Sequence, residues 1–212
     1  MVIPMNVPAE PPTKTAWRAR VLADRAAMDP TTAQTADAAL ARHATALPVA
    51  GATVCAYVPT RREPGSTTLL DALVSAGARV LLPIARDPGP MRWGEFHGAE
   101  QLISAPFGLR EPTGEALPPE EIAVASWILV PALAVDRHGV RLGRGAGFYD
   151  RTLGLATAQA HLVAVVYDAE LVAELPDEPH DRHVGWALTP GAGLIELGGP
   201  HRTDGNSAEQ AE

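Results

Sequence analysis

The chain has 212 residues, 46% hydrophobic and 20% charged, which is length and apolar content for one α/β domain with a real core. A formal net charge of −8 excludes a nucleic-acid binder that works by neutralising phosphates, and no stretch approaches the ~20 apolar residues of a membrane span. The start has no basic n-region or apolar h-region, and Cys55 is a lone cysteine, so the expectation is a cytoplasmic, monomeric protein with no disulfide framework, no nucleic-acid partner and no membrane partner.

Residues 1–12 carry four prolines and read as a loose arm. Trp17, Val21 and Leu22 then recur on one helical face between residues 14 and 28. Asp29-Pro30 is an N-cap with proline at the first helical position, opening a second helix to about residue 47. Residues 51–59 form a β-branched apolar run, a strand covered on both faces. Residues 66–76 predict a helix with Leu69, Leu70, Leu73 and Val74 on its apolar face, and 78–85 a second buried strand. Residues 91–96 alternate as an edge strand or hairpin arm, and 105–120 are a Pro/Gly-rich loop. Residues 126–136 are the most apolar strand, 138–147 a glycine-punctuated loop, and 148–158 a helix. Another core strand follows at 161–167, then a polar loop at 176–184, short strands at 186–189 and 194–197, and a polar tail at 200–212. Strands alternating with helices predict a single α/β domain over 13–199, a three-layer, mostly parallel, Rossmann-like sheet flanked by helices. Ligands bind such sheets at the carboxyl ends of the strands, which is where the loop after Asp136 falls.

That loop concentrates chemistry. Gly143, Gly145 and Gly147 alternate with Arg144 and Ala146, and Arg141 and Arg151 flank them. The glycines let the backbone take positive φ and approach a ligand, and successive N–H groups make an anion-binding concavity. The arginines add bidentate phosphate donors, and Asp150 can hold Mg²⁺ through one carboxylate. Without an anion, the same segment is a tight connection with Asp150 as a helix cap. The spacing is neither a P-loop nor a dinucleotide fingerprint. Among seventeen cations there are sixteen arginines and a single lysine, Lys14, which makes Lys14 a candidate for a role a guanidinium cannot fill.

Gly139-x-Arg141-Leu142-Gly143-x-Gly145-x-Gly147-x-Tyr149-Asp150 resembles the signature of 5-formyltetrahydrofolate cyclo-ligases. The likeness continues in Lys14-x-x-x-Arg18, in Tyr57-Val58-x-x-x-x-Glu63, in Phe107-Gly108-Leu109-x-Glu111-Pro112 and in Leu175-Pro176-x-Glu178-x-His180-Asp181. The resemblance implies a fold similar to sugar-phosphate isomerases and CoA-transferases. It also implies an ATP- and Mg²⁺-dependent closure of 5-formyltetrahydrofolate to 5,10-methenyltetrahydrofolate. It assigns ATP to Lys14, Arg18, Arg141, Leu142, Gly143, Arg144, Gly145, Ala146, Gly147, Phe148 and Tyr149, with Lys14, Arg141, Arg144 and Tyr149 catalytic. Reduced folate falls to Val58, Glu63, Phe107, Phe148 and Tyr149, and the metal to Asp150 and Asp181. Three positions depart from the pattern: Ala146 stands where relatives often have Lys or Gly, Phe148 where Tyr is common, and Glu170 where Gln is common, changing the charge near the folate pocket. Three rivals remain: a non-catalytic ATP- or folate-binding relative, a phosphate-ligand enzyme of the isomerase or CoA-transferase kind, and a zinc hydrolase built on His180 and His183.

Overall fold

A computed structural model describes residues 12–60, 62–86, 89–178 and 181–198, with the side chain of Phe107 left aside. Helix α1 (Lys14–Ala27) starts where the Thr13 hydroxyl accepts the Ala16 N–H at 3.2 Å. Helix α2 (Pro30–Thr45) starts where Asp29 accepts the N–H groups of Thr31 and Thr32, with Pro30 in the first turn. Strand β1 (Thr53–Cys55), helix α3 (Thr67–Ser75), and strands β2 (Arg79–Ile84) and β3 (Arg92–Glu95) follow. Strands β4 (Leu102–Ser104) and β5 (Arg110–Pro112) pair as a short ribbon. The second half holds β6 (Ala125–Pro131), β7 (Ala134–Asp136), β8 (Arg141–Leu142), helix α4 (Phe148–Leu153), β9 (His161–Val165), β10 (Leu171–Val172), β11 (Trp186–Thr189) and β12 (Gly193–Glu196).

Seven strands form the central sheet in the order β12-β11-β9-β6-β1-β2-β3. The inner neighbours run parallel, and the edges β3 and β12 are antiparallel. Side chains alternate between two buried faces. Val54, Val80, Leu82 and Leu129 pack on one side with Leu40 and Ala44 of α2 and Leu69, Leu70 and Leu73 of α3. Cys55, Leu81, Ile128 and Val130 pack on the other with Trp93, Ile122 and Leu153. Burial on both faces is why these strands read as continuous apolar runs rather than alternating ones. The layer on the second face is thin, built from a 3₁₀ turn at Pro119–Val124 and the single-turn-and-a-half helix α4. Among the described residues no helix is long and apolar enough to cross a membrane.

The elements differ from the sequence reading in ways that shape the site. The run at 51–59 is a strand only over its first half. Tyr57 and Val58 lie beyond the carboxyl end of β1, buried but free to line a cavity. The apolar run at 126–136 is two strands: β6 ends at Pro131, and β7 belongs to a separate three-stranded sheet, β10-β7-β8. Apolarity could not mark that break, since both halves are buried; proline, with no N–H to donate, sits at it. The loop at 138–147 contains β8, paired antiparallel with β7, and 105–120 contains β5. Val21 of α1 packs on the small sheet against Leu133, Val140 and Leu142, which carries Lys14 and Arg18 to the glycine loop. The arm at 1–11 and the tail beyond 199 lie outside the described residues.

Candidate active site

The turn between β7 and β8 is held from inside by Asp136, 1% exposed, whose carboxylate accepts the N–H groups of His138, Val140 and Leu175 at 2.9, 2.9 and 3.0 Å. Gly139, at φ +89, fits against the Val184 carbonyl where any β-carbon would collide. From this anchored hairpin the chain runs through 143–147 into α4. Gly145 and Gly147 take positive φ, whereas Gly143 does not. Gly143 instead offers its carbonyl to Arg18 Nε at 3.0 Å, a staple from α1 under the loop. Helix α4 ends at Leu153, five residues short of the expected end, where Gly154 follows and Leu155 N–H bonds back to Thr152 at 3.0 Å. A helix that short has little macrodipole. An anion here would therefore be met by loop N–H groups and side-chain cations rather than by a helix dipole.

The loop divides two recesses. On one side is an open groove lined by Thr13, Lys14, Arg18, Gly145, Gly147, Asp150, Arg151, Glu178 and Asp181. On the other is an apolar cavity of about 180 Å³ at the carboxyl ends of β1, β2 and β6, whose walls include Tyr57, Val58, Glu63, Pro131, Phe148 and Tyr149. Gly145, Gly147 and Asp150 line both. The groove and the cavity thus meet across a wall with no side-chain bulk at its two glycines. Sequence-predicted residues from α1, the β1 end, the glycine loop and the loop at Asp181 converge here from across the chain. Leu142 does not: its side chain is core, 2% exposed, packed beside Val21 and Leu133. Phe107 lies in a 3₁₀ turn at Pro106–Gly108, with its side chain outside the described atoms.

Three cations of the site, Lys14, Arg141 and Arg144, are paired with carboxylates. Lys14 Nζ donates to Asp181 Oδ2 at 2.7 Å and lies 3.1 Å from Glu178 Oε2. Burial pulls the Lys14 ammonium down, yet these two carboxylates outweigh it and its pKa is raised. Arg141 Nη2 donates to Asp150 Oδ1 at 2.6 Å, and Arg144 Nε to Glu63 Oε1 at 3.1 Å. Two residues that line the cavity each carry a buried polar atom with no protein partner among the described residues, the Tyr149 hydroxyl and Arg141 Nε. Burial and the nearby Glu63 push the Tyr149 phenol far above its ordinary range, so it is a proton-carrying donor at any working pH. Orphaned buried donors beside a cavity are the mark of a ligand site, since leaving them unmet costs about 1–3 kcal/mol each.

Among the described residues no three His, Cys, Asp or Glu side chains assemble as a metal cage. His183 is taken by Asp177 at 3.0 Å, and His180 lies outside the described residues. Asp150 and Asp181 nevertheless line one groove with Lys14 and Arg18. Two carboxylates beside cationic side chains would suit Mg²⁺ once a phosphate is bound, since that ion is commonly held by one or two carboxylates plus phosphate and water.

Sequence reasoning missed one feature behind the cavity. Arg25, 3% exposed, makes a two-pronged bond to Glu170 at 2.6 and 2.7 Å and also donates to the Ala132 carbonyl at 2.7 Å. Glu170 was expected to alter the charge of the folate pocket. Its charge is instead matched by Arg25, and it is absent from the cavity lining. Ala132 does line the cavity, so the pair fixes a wall.

Comparison with known proteins gives the family of the chain. Residues 10–190 match the model of the 5-formyltetrahydrofolate cyclo-ligase family. A protein of Mycolicibacterium smegmatis described as 5-formyltetrahydrofolate cyclo-ligase is 49% identical over 192 residues, covering 88% of this chain and 98% of the relative. One of Escherichia coli K12 with the same description is 31% identical over 144 residues, 65% of this chain and 78% of the relative. The solved structure of an Aquifex aeolicus 5,10-methenyltetrahydrofolate synthetase superposes with a TM-score of 0.72 at 26% identity, covering 93% of this chain and 96% of that one.

Proposed function

The chain belongs to the 5-formyltetrahydrofolate cyclo-ligase family and is an enzyme of that kind, and from its site we propose the chemistry in detail: ATP occupies the groove, the reduced folate occupies the cavity, and phosphoryl transfer takes place across the glycine wall between them. The observation that carries this reading is that wall, shared by both recesses through Gly145, Gly147 and Asp150.

A formamide oxygen is a poor leaving group. On this reading it attacks the γ-phosphorus of ATP, ADP departs, and the formyl carbon becomes an iminium phosphate. The N10 arylamine attacks that carbon, N10 loses its proton, and phosphate leaves with the C–O bond, closing the 5,10-methenyl ring. Such transfer needs positioning and charge neutralisation more than covalent help. Lys14 and Arg18 neutralise phosphate oxygens from α1, Arg141 and Arg144 do so from the loop, and Gly145 and Gly147 bring backbone N–H groups close. Asp150 and Asp181 would hold Mg²⁺, which would supply further neutralisation of the triphosphate. Glu63 accepts the amidine-like edge of the pterin, Val58, Phe107 and Phe148 supply apolar contact, and the Tyr149 hydroxyl and Arg141 Nε meet ligand acceptors.

A titration of MgATP separates this reading from its rivals. Turnover of 5-formyltetrahydrofolate that saturates with MgATP supports it, whereas ATP-independent turnover points to an isomerase- or transferase-like use of the loop. ATP binding without turnover leaves a non-catalytic relative.

A further inference from the structure

The backbone itself ties Glu63 to Thr60, the Glu63 N–H donating to the Thr60 carbonyl at 3.0 Å. Thr60 then adds two bonds to the Glu63 side chain. Its backbone N–H reaches Glu63 Oε2 at 2.8 Å and its hydroxyl reaches the same oxygen at 2.7 Å. One carboxylate oxygen is thereby occupied by Thr60, and Oε1 faces Arg144 at 3.1 Å beside the cavity. The surrounding loop is fastened in the same sense. Arg62 holds φ +71, a left-handed conformation unfavourable for a residue with a β-carbon, and its guanidinium donates to the Arg25 carbonyl at 3.0 Å. Farther on, the Tyr57 hydroxyl donates to the Pro64 carbonyl at 2.7 Å, and the Gly65 N–H to Asp37 Oδ1 at 3.0 Å. Strain held in place by several independent contacts belongs where geometry has to be kept, and here the contacts surround a side chain only 9% exposed.

On the reading in which Glu63 receives the pterin, we propose that Thr60 is a positioning residue for folate recognition. Its hydroxyl fixes the rotation of the Glu63 carboxylate, so that Oε1 is already aimed when the substrate enters. A free glutamate would lose several side-chain rotations on binding; one already fixed loses few, and the difference enters substrate affinity. The hydroxyl touches neither recess and acts through Glu63 alone.

Thr60→Val keeps the shape, the β-branch and the backbone N–H and removes the hydroxyl; Thr60→Ser keeps the hydroxyl. The experiment is steady-state kinetics of the full chain in both substrates, with a thermal melt of each variant. Thr60→Val is expected to raise KM for 5-formyltetrahydrofolate about tenfold, the effect of losing one bond to a charged group. Its kcat and KM for ATP should stay within about twofold of the parent, and Thr60→Ser should restore the folate KM. A folded Thr60→Val with the parent folate KM overturns the proposal. So does a variant whose two KM values and kcat all deteriorate together, which is the signature of a disturbed fold. If Thr60→Val does not fold, Thr60→Ala carries the same comparison. A parent chain that does not turn over the folate defeats the functional reading itself, whereas a parent that does, with an indifferent Thr60→Val, defeats only this inference.

Discussion

Arg144 Nε lies 3.1 Å from Glu63 Oε1, so a guanidinium of the glycine loop rests on a carboxylate of the neighbouring cavity. The pairing is uneven: the arginine is 49% exposed and the glutamate 9%. The exposed partner can swing to a phosphate at small cost, because half-exposed ion pairs contribute only about 0–1 kcal/mol. Glu63 cannot leave, being held by Thr60. Glu63→Gln removes the charge that suits an amidine-like edge while keeping the volume. It is expected to raise the folate KM by about tenfold or more and to leave the ATP KM near the parent value. Separate substrate titrations check this, and equal effects on both KM values would count against the assignment of Glu63 to the folate.

Lys14 is the groove's cation with the longest sequence reach, joining α1 to Asp181 across 167 residues. Lys14→Ala should lower kcat by about 100-fold, the scale seen when one preorganised donor to developing charge is lost. Asp150→Ala should do the same through the metal. Both variants should keep the circular dichroism of the parent. Parent-like rates in either folded variant would remove that residue from the chemistry.

Tyr149→Phe separates stability from activity by sign. Its hydroxyl is buried without a protein partner among the described residues, so deleting it should leave stability unchanged or raise it by about 1 kcal/mol. The same deletion takes away a donor at the ligand, and kcat/KM should fall about tenfold. Urea unfolding and kinetics on one preparation test both signs.

Arg25 and Glu170 test a wall rather than a ligand. Arg25→Leu leaves the Glu170 carboxylate buried and unmatched and should cost about 3–5 kcal/mol in urea unfolding. Removing both charges, Arg25→Leu with Glu170→Leu, should recover most of that loss. The remainder, about 1–3 kcal/mol, reflects two buried backbone groups left without partners, the Ala132 carbonyl and the Tyr167 N–H.

Chelation with EDTA should abolish turnover and leave the melting temperature unchanged, because no cage of three protein ligands stands among the described residues to tie folding to a metal. A large drop in melting temperature would mean a structural ion instead.

Much of this was legible in the residues because the signals are local. Apolar runs such as 78–85 report burial on both sheet faces, and Asp29-Pro30 marks a helix start through its own capping chemistry. The glycine and arginine alternation at 141–147 places the loop, and the family resemblance then links it to Lys14, Glu63 and Asp181. What stayed hidden depends on distant partners. Nothing near Pro131 says that β7 leaves the main sheet, because its neighbours there, β8 and β10, are set by tertiary pairing. Nothing on their own segments pairs Arg25 with Glu170, which find each other only across 145 residues. Leu142 sits inside the motif yet turns to the core, a distinction that spacing alone does not carry.

The most direct test of the central claim mixes the purified chain with 5-formyltetrahydrofolate and follows the near-ultraviolet absorbance of the methenyl product, with ATP and Mg²⁺ withheld in turn. We predict growth of that absorbance only when both are present, with one ADP released per methenyl group formed. Absorbance that grows without ATP, or none at all under MgATP with both substrates bound, would contradict phosphoryl transfer across the glycine wall.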